Sequence, residues 1–198
     1  MDDAAARGRI IEAATRLFAA LGYDETDLRL IADAAGVPAA RLTDLVGGKR
    51  ELYLDIMERA HEDEYETLRK AVDTTDSPRA ALHQILDAYL DYHVSHPLIH
   101  AVWMHRWGAD ALDIRDLEDR YQRPLLRMCT RRIRDAVPPE IDPYFVLSPM
   151  VWCVYGFISS GVFARGHGMV SAMDPAALAW FRSCMHQLMD RLTAPTPA

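Results

Sequence analysis

Apolar side chains recur along almost the whole chain with the spacing of an α-helix, and no segment alternates as a convincing β-strand would. The first predicted helix ends at Gly22. The second is capped by Asp27 and ends at Gly36, and the third runs from Pro38 to the Gly47-Gly48 break. We expect six further helices, over about residues 49–72, 78–96, 98–107, 112–137 (kinked at Pro124), 143–165 and 174–193.

The most informative stretch spans residues 22–52. It predicts two short helices joined by a tight Ala35-Gly36-Val37 turn, followed by a long helix from Lys49. This arrangement is typical of a helix-turn-helix, which lays one helix into the major groove of DNA. DNA binding is therefore the leading hypothesis.

Composition indicates a globular protein, since half of the 198 residues are apolar. Charge gives DNA binding less support. The net charge is −7 and the isoelectric point about 5.6. Residues 1–50 hold seven basic and eight acidic side chains, a net charge of −1. This N-terminal region as a whole therefore does not attract DNA phosphates. An acidic run at Glu62, Asp63, Glu64 and Glu66 is expected to be a solvated helix face, with a partner surface as the alternative.

The cellular setting is also suggested by the sequence. Cys129, Cys153 and Cys184 are far apart and odd in number, which predicts reduced thiols in a cytoplasmic protein. The N-terminus lacks the pattern of a signal peptide. The apolar run from Tyr144 to Phe163 is interrupted by Pro149 and by small residues, so we expect a buried helix and no membrane span.

The N-terminal motifs resemble a known family. The segments RIIEAATRLFAALGYD (9–24), LRLIADAAGV (28–37) and KREL (49–52) resemble the N-terminal domain of the tetracycline-repressor (TetR) family of bacterial regulators. The resemblance implies an all-α fold of about nine helices. It further implies a three-helix helix-turn-helix DNA-binding domain (1–48), a connecting helix (49–74) and a C-terminal helical ligand-binding and dimerisation domain (75–198).

The function implied by this resemblance is that of a dimeric regulator, in particular a repressor of transcription. Each protomer of such a regulator places its third helix in one half-site of a palindromic double-stranded DNA operator. A small molecule in the C-terminal domain then shifts the spacing of the two reading heads and releases the DNA.

The predicted DNA contacts combine the motif with the chemistry of single residues. Arg41 is suited to guanine recognition and Lys49 to phosphate. Thr43 stands where the family usually has a phosphate-contacting tyrosine, and Asp44 repels phosphate, so we expect weak, salt-sensitive binding. The alternative is a sensor of this fold with weak or lost DNA binding. The full predicted set is Asp27, Leu28, Arg29, Pro38, Ala39, Ala40, Arg41, Thr43, Asp44 and Lys49.

A ligand site is predicted from aromatic, methionine and histidine side chains at helical spacing in the C-terminal half. They indicate a small hydrophobic ligand with few charges, although each residue alone is more typical of a core. The predicted lining is His100, Trp103, Met104, Trp107, Tyr121, Met128, Trp152 and Tyr155.

Metal and enzyme chemistry have little support in the sequence. His93, His96 and His100 have a suggestive spacing, but Pro97 breaks the helix between them, so we expect no metal and no cofactor. We find no nucleophile motif, phosphate-binding glycine loop or zinc motif, and therefore predict no enzyme activity. The alternative, an enzyme on a helical scaffold, would need a titratable pair in its pocket, and no such pair stands out in the sequence.

A homodimer is predicted from the last two helices. Apolar residues of the ninth helix repeat with 3-4-3-4 spacing, and the eighth helix offers small residues that allow close approach. The predicted interface consists of Phe157, Ser160, Leu178, Phe181, Met185 and Leu188.

Overall fold

The computed structural model describes residues 2–164 and 168–194. The fold is all-α, as predicted. The described residues form nine α-helices: α1 Asp3–Leu21, α2 Leu28–Ala35, α3 Ala39–Val46, α4 Lys49–Asp73, α5 Pro78–Ser95, α6 Pro97–Trp107, α7 Arg123–Ile133, α8 Pro143–Ser160 and α9 Pro175–Leu192. Two short strands, β1 Val162–Ala164 and β2 Gly168–Val170, lie between α8 and α9.

The chain divides into two compact units. The first comprises Met1–Glu62 and His96–Leu117, and the second comprises Asp63–Ser95 and Glu118–Ala198. The division falls within α4. It differs from the predicted division into 1–48, 49–74 and 75–198 chiefly because the segment 96–117 groups with the N-terminal helices.

The first unit is built on a core shared by α1, α2, α3 and α4. Ile10, Phe18, Ile31, Leu42 and Leu52 have no measurable exposure. Aromatic rings complete this core. The Tyr53 ring meets Phe18 and Tyr23 edge-on, with centroid separations of 5.2 and 4.9 Å. These contacts fix the three short N-terminal elements against the start of α4.

Local capping sets the bounds of the short helices. The Asp27 carboxylate accepts a hydrogen bond from the Leu30 N–H at 2.8 Å, which confirms the predicted N-cap of α2. Gly36 ends α2 in the left-handed region at φ 64°, and the Val37 N–H reaches back to the Ala32 carbonyl at 3.0 Å. The predicted tight turn between α2 and α3 thus has the geometry that glycine allows.

The predicted seventh helix, 112–137, is wrong as a continuous element. A loop occupies residues 108–117, a π-helical turn covers Glu118–Gln122, and α7 proper begins at Arg123. Pro124 lies in the first turn of α7 and does not kink a helix interior. Because proline lacks the N–H that a helix interior needs, it favours a helix start at this position.

The structure also contains two short strands that the sequence pattern does not indicate. Strands β1 and β2 pair antiparallel, with Phe163 opposite Met169. Gly161, at φ 72°, ends α8 at Ser160 instead of 165, because the chain turns there into β1. Three-residue strands are too short to show a readable alternation. Arg165, the predicted last residue of the eighth helix, lies outside the described residues.

The second unit packs α5 against α8 and α9. Ile85, Leu86 and Leu90 of α5 are fully buried, and the Phe157 and Phe181 rings stack at 4.0 Å between centroids. Arg182 of α9 pairs with Asp87 of α5 at 2.8 Å. In the described part of the chain, no helix is long and apolar enough to cross a membrane.

The β-hairpin provides a matched pair of glycines for a stability test. A Cβ on Gly161 would lie 2.2 Å from the Val170 carbonyl oxygen, whereas a Cβ on Gly168, at φ 71°, would meet nothing within 4 Å. The left-handed conformation alone costs an alanine about 1–2 kcal/mol. We therefore expect Gly161→Ala to lower the free energy of unfolding clearly more than Gly168→Ala in urea titrations followed by circular dichroism. Equal losses would contradict this geometry.

Candidate nucleic-acid interface and ligand cavity

Helix α3 buries one face and exposes the other. Leu42 is fully buried, while Arg41, Thr43 and Asp44 are exposed. The preceding residues Pro38, Ala39 and Ala40 are exposed as well. On α2 and its cap, Asp27 and Arg29 are exposed and Leu28 is half-buried. The predicted DNA-contacting residues thus share an accessible surface around α2 and α3, with the exception of the half-buried Leu28 and Lys49.

Arg41, the predicted guanine-reading side chain, forms an ion pair with Asp3 of α1. The exposed fractions of the two side chains are 44% and 63%. Pairs this exposed typically contribute about 0–1 kcal/mol, because water and salt screen them. The guanidinium can therefore exchange Asp3 for another acceptor at little cost.

Lys49, the predicted phosphate contact, lies against the turn between α1 and α2. Its Nζ donates to the Tyr23 carbonyl at 2.8 Å and to the Asp24 carbonyl at 3.4 Å. The same ammonium lies 4.2 Å from the centroid of the Tyr23 ring, within cation–π range. Within this structure, Lys49 holds the turn.

Asp110 binds the N–H groups of the same turn. This role was not predicted from the sequence. The two Asp110 carboxylate oxygens accept hydrogen bonds from the Tyr23 N–H at 2.6 Å and the Asp24 N–H at 2.8 Å. The residues on either side, Ala109 and Ala111, have φ angles of 73° and 56°. Alanine rarely adopts this region, so the loop is held in place by its surroundings.

The loop around Asp110 is anchored within the first unit. Arg106 donates to the Ala111 carbonyl at 2.7 Å, and Ala111, Ile114 and Leu117 are buried. Arg50 reaches this loop too, with its Nη1 3.8 Å from the Asp113 carboxylate. Arg29, by contrast, is exposed and forms no ion pair with any described residue. Arg29 is therefore available to an external anion without breaking an internal contact.

The second unit contains a small, partly open cavity of about 70 Å³. Most of its lining is apolar, and Glu64 is its one charged member. The lining residues are Glu64, Leu68, Ile85, Tyr89, Gln122, Leu125, Leu126, Cys129, Leu147, Met150 and Val151. A mostly apolar cavity with a few polar groups is the usual character of a small-molecule site.

None of the eight predicted ligand residues lines this cavity. His100 and Trp103 are buried in the first unit, where Met104 and Trp107 are exposed. In the second unit Tyr121 and Tyr155 are buried, Met128 is half-buried and Trp152 is 62% exposed. Tyr155 lies nearest to the lining, with its ring centroid 6.5 Å from that of Tyr89.

A buried polar cluster adjoins the cavity. His93 Nε2 lies 3.5 Å from Glu64 Oε1, and both side chains are almost completely buried. Three tyrosine rings surround the imidazole, with centroids 4.5 Å (Tyr89), 5.3 Å (Tyr92) and 4.8 Å (Tyr155) away. Burial raises the pKa of Tyr89 and Tyr155 well above the ordinary value, so both hydroxyls stay protonated at neutral pH.

The burial of Glu64 corrects the expectation that the acidic run is a solvated face. Glu62 and Asp63 are exposed, but Glu64 is only 6% exposed. The helical spacing could have predicted this burial. Glu64 lies four residues after Ala60 and four before Leu68, and both of these are buried on the same face of α4. As for metals, no group of His, Cys, Asp and Glu within the described ranges is arranged to hold one.

The predicted dimer residues fall into two groups. Phe157, Phe181 and Met185 are buried in the core of their own unit, while Leu178 is half-buried and Ser160 and Leu188 are exposed. The exposed surface of α8 and α9 carries other large apolar side chains: Phe145, Trp152 and Trp180 are 57%, 62% and 46% exposed. We call Phe145, Trp152, Trp180 and Leu188 the outer apolar face.

A tight left-handed turn followed by an exposed, amphipathic third helix defines the helix-turn-helix class of transcriptional regulators. Residues 10–56 match the family model of bacterial regulatory proteins of the tetR family. The N-terminal segment therefore matches that family, and the predicted resemblance is confirmed.

Two curated relatives are described as transcriptional regulators as well. The chain is 33% identical over 86 residues to the HTH-type transcriptional activator FasR of Mycolicibacterium smegmatis, covering 43% of this chain and 39% of FasR. It therefore spans well under half of that relative. It is 22% identical over 154 residues to the HTH-type transcriptional regulator YhgD of Bacillus subtilis, covering 74% and 81% of the two chains.

Solved structures share the fold over nearly the full length. The fatty acid degradation regulator FadR of Bacillus halodurans superposes with a TM-score of 0.73 at 13% identity, covering 93% of this chain and 94% of its own. The ketosteroid transcriptional regulator KstR2 of Mycobacterium tuberculosis gives 0.71 at 19% identity, covering 96% and 95%. At these identities the likeness shows a shared fold alone.

The grip of Asp110 on the α1–α2 turn can be tested in the isolated protein. Asp110→Ala leaves the Tyr23 and Asp24 N–H groups without their acceptor, so we expect a loss of about 1–3 kcal/mol in the free energy of unfolding. Hydrogen exchange at these two amides should accelerate. Asp113→Ala is the matched control, because Asp113 is an exposed carboxylate in the same loop. Equal effects of the two variants would contradict the assignment.

Proposed function

We propose that this chain is a dimeric, cytoplasmic, ligand-responsive transcriptional regulator that binds a palindromic DNA operator. The observation that carries the proposal is the exposed face of α3, with Arg41 at its centre, in a segment that matches the tetR family. Two protomers would offer this face to successive major grooves on one side of a duplex.

In the proposed complex, Arg41 leaves Asp3 and donates two hydrogen bonds to a guanine. Arg29 and Lys49 would bind phosphates, with Thr43 as a neutral donor. The remaining predicted contacts are Asp27, Leu28, Pro38, Ala39, Ala40 and Asp44. Since Asp44 is exposed beside the phosphates and Lys49 already holds the turn, binding should be modest and sensitive to salt.

The proposed dimer pairs α8 and α9 of two protomers through the outer apolar face. Phe145 and Trp152 on α8, with Trp180 and Leu188 on α9, expose an unusual amount of large apolar side chain for a surface. An isologous four-helix arrangement would bury them, with Ser160 allowing close approach.

The proposed effector is a small hydrophobic molecule that occupies the cavity of the second unit. The apolar lining supports this, and so do two structural relatives, which are named a ketosteroid transcriptional regulator and a fatty acid degradation regulator. A ligand shifts an equilibrium only if it binds one state better than the other. We propose that it favours the DNA-free state, which makes the protein a repressor.

A second candidate function is a sensor of the same fold with weak or lost DNA binding. Two observations favour it. Arg41 is already paired with Asp3, and the exposed Asp44 carries negative charge on the reading face. The two candidates differ in one measurable property, the ratio of specific to non-specific DNA affinity.

Selection from a random duplex library, followed by titration at several salt concentrations, tests the proposed DNA contact. We expect Arg41→Ala to weaken binding to the selected site by about 5- to 150-fold, as loss of a bidentate base contact does. Asp3→Asn should strengthen binding, because it frees Arg41. Glu25→Gln makes the same charge change at another exposed site and is the control. If no site is selected, or if Arg41→Ala binds the selected site as tightly as the wild type, the proposed DNA contact is contradicted and the sensor function is favoured.

The proposed dimer face is tested by charge insertion. Trp180→Arg should convert the dimer to a monomer in sedimentation experiments at micromolar concentration, because a desolvated arginine opposes burial of the face. Leu112→Arg is the control, since Leu112 is 64% exposed and lies outside α8 and α9. A wild-type monomer, or a Trp180→Arg dimer as stable as the wild type, would remove the proposed interface.

A further inference from the structure

The cavity of the second unit offers one kind of charge to a ligand. Glu64 is the acidic member of its lining, and none of the lining residues is a lysine or an arginine. The other polar members are Gln122, Tyr89 and Cys129. Burial raises the pKa of the Cys129 thiol to about 12, and Tyr89 stays protonated, so these groups remain neutral at pH 7.

Glu64 is also a buried carboxylate with one long ion-pair contact. Its one ion pair among the described residues is with His93, at 3.5 Å. A charge-assisted hydrogen bond between a nitrogen and a carboxylate oxygen usually measures about 2.7–2.9 Å, so this contact is long. A carboxylate has about four acceptor positions, and a buried charge is costly unless it is paired. The side chain that lines the cavity therefore favours a further donor.

Resting on the proposed function, we propose that the effector is an apolar molecule carrying a protonated amine, which pairs with Glu64 while its hydrocarbon part fills the cavity. Opposite charges a few ångströms apart in a poorly solvated site attract strongly, and like charges repel to the same degree. A ligand with a carboxylate head, such as a free fatty acid, would meet that repulsion. The lining offers it no arginine or lysine in return.

A matched series of head groups on one hydrocarbon tests this assignment. Octylamine, octanol and octanoate share their chain but are respectively cationic, neutral and anionic at pH 7. We expect calorimetric titration of the wild-type protein to give tightest binding for octylamine, at least about tenfold tighter than octanoate. Octanoate binding as tightly as octylamine would overturn the proposal.

The role of Glu64 is tested by Glu64→Gln, which keeps the shape and removes the charge. The preference for octylamine over octanol should disappear in this variant. It should persist in Glu62→Gln, an exposed neighbour on the same helix. A preference that survives Glu64→Gln overturns the assignment. If Glu64→Gln fails to fold, as judged by circular dichroism, the wild-type series still decides.

DNA release by the three probes separates the proposed amine from the proposed regulatory function. DNA release is measured separately, on a duplex selected by the wild-type protein. Octanoate or octanol releasing DNA while octylamine does not would overturn the amine and leave the ligand-responsive regulator standing. Absence of binding by all three probes would overturn the cavity as the effector site, and the amine with it.

Discussion

The helix-turn-helix depends on how two residues between α1 and α2 are held. The N–H groups of Tyr23 and Asp24 bind the Asp110 carboxylate, and their carbonyl groups bind the Lys49 ammonium. The backbone N–H and carbonyl groups of this segment, which has no regular secondary structure, thereby all have hydrogen-bond partners. Since this turn sets where α2 leaves α1, the direction of the reading helix rests on a carboxylate and an ammonium distant in sequence.

This constraint also reshapes the electrostatics of the candidate DNA interface. Lys49 is engaged by the turn, Arg50 lies near Asp113, and Arg41 is paired with Asp3. Of these contacts, the exposed Arg41 pair is easily exchanged, whereas Lys49 donates to two backbone carbonyls beside an aromatic ring. The basic residues that the family motif supplies are therefore not equivalent. Arg29 and Arg41 are the ones whose transfer to DNA costs the fold least.

Local chemistry made much of this fold predictable. Asp27 and Gly36 fix helix ends through bonds within a few residues, and Asp174 caps α9 in the same way, so their positions are legible in the sequence. The partners of Asp110 lie 87 and 86 residues away, and no local pattern encodes such a pairing. The burial of Glu64 was not predicted, because an acidic run usually marks a solvent-exposed helix face. Its spacing to Leu68 nevertheless places it on the buried face of α4.

The dimer residues show a second limit of periodicity. Helix α9 carries two apolar stripes, one with Phe181 and Met185 facing its own unit and one with Trp180 and Leu188 facing outward. A 3-4 repeat identifies an apolar stripe but not the partner that covers it. The stripe that contains Trp180 was the weaker apolar pattern in the sequence, because small residues such as alanine and serine surround this tryptophan on the helix. Only the packing of α5 against α9 reveals which stripe is left over.

Two carboxylates illustrate how a structural role and a binding role can be told apart by counting donors. Asp110 receives two short backbone N–H bonds and needs nothing more. Glu64 is more deeply buried, yet its ion pair with His93 is 3.5 Å long and its side chain borders empty space. Folding alone would favour an apolar residue at such a position, because a buried ion pair often stabilises less than well-packed apolar side chains do. A charge that the fold does not need, beside a cavity that could hold its partner, is what a recognition group requires.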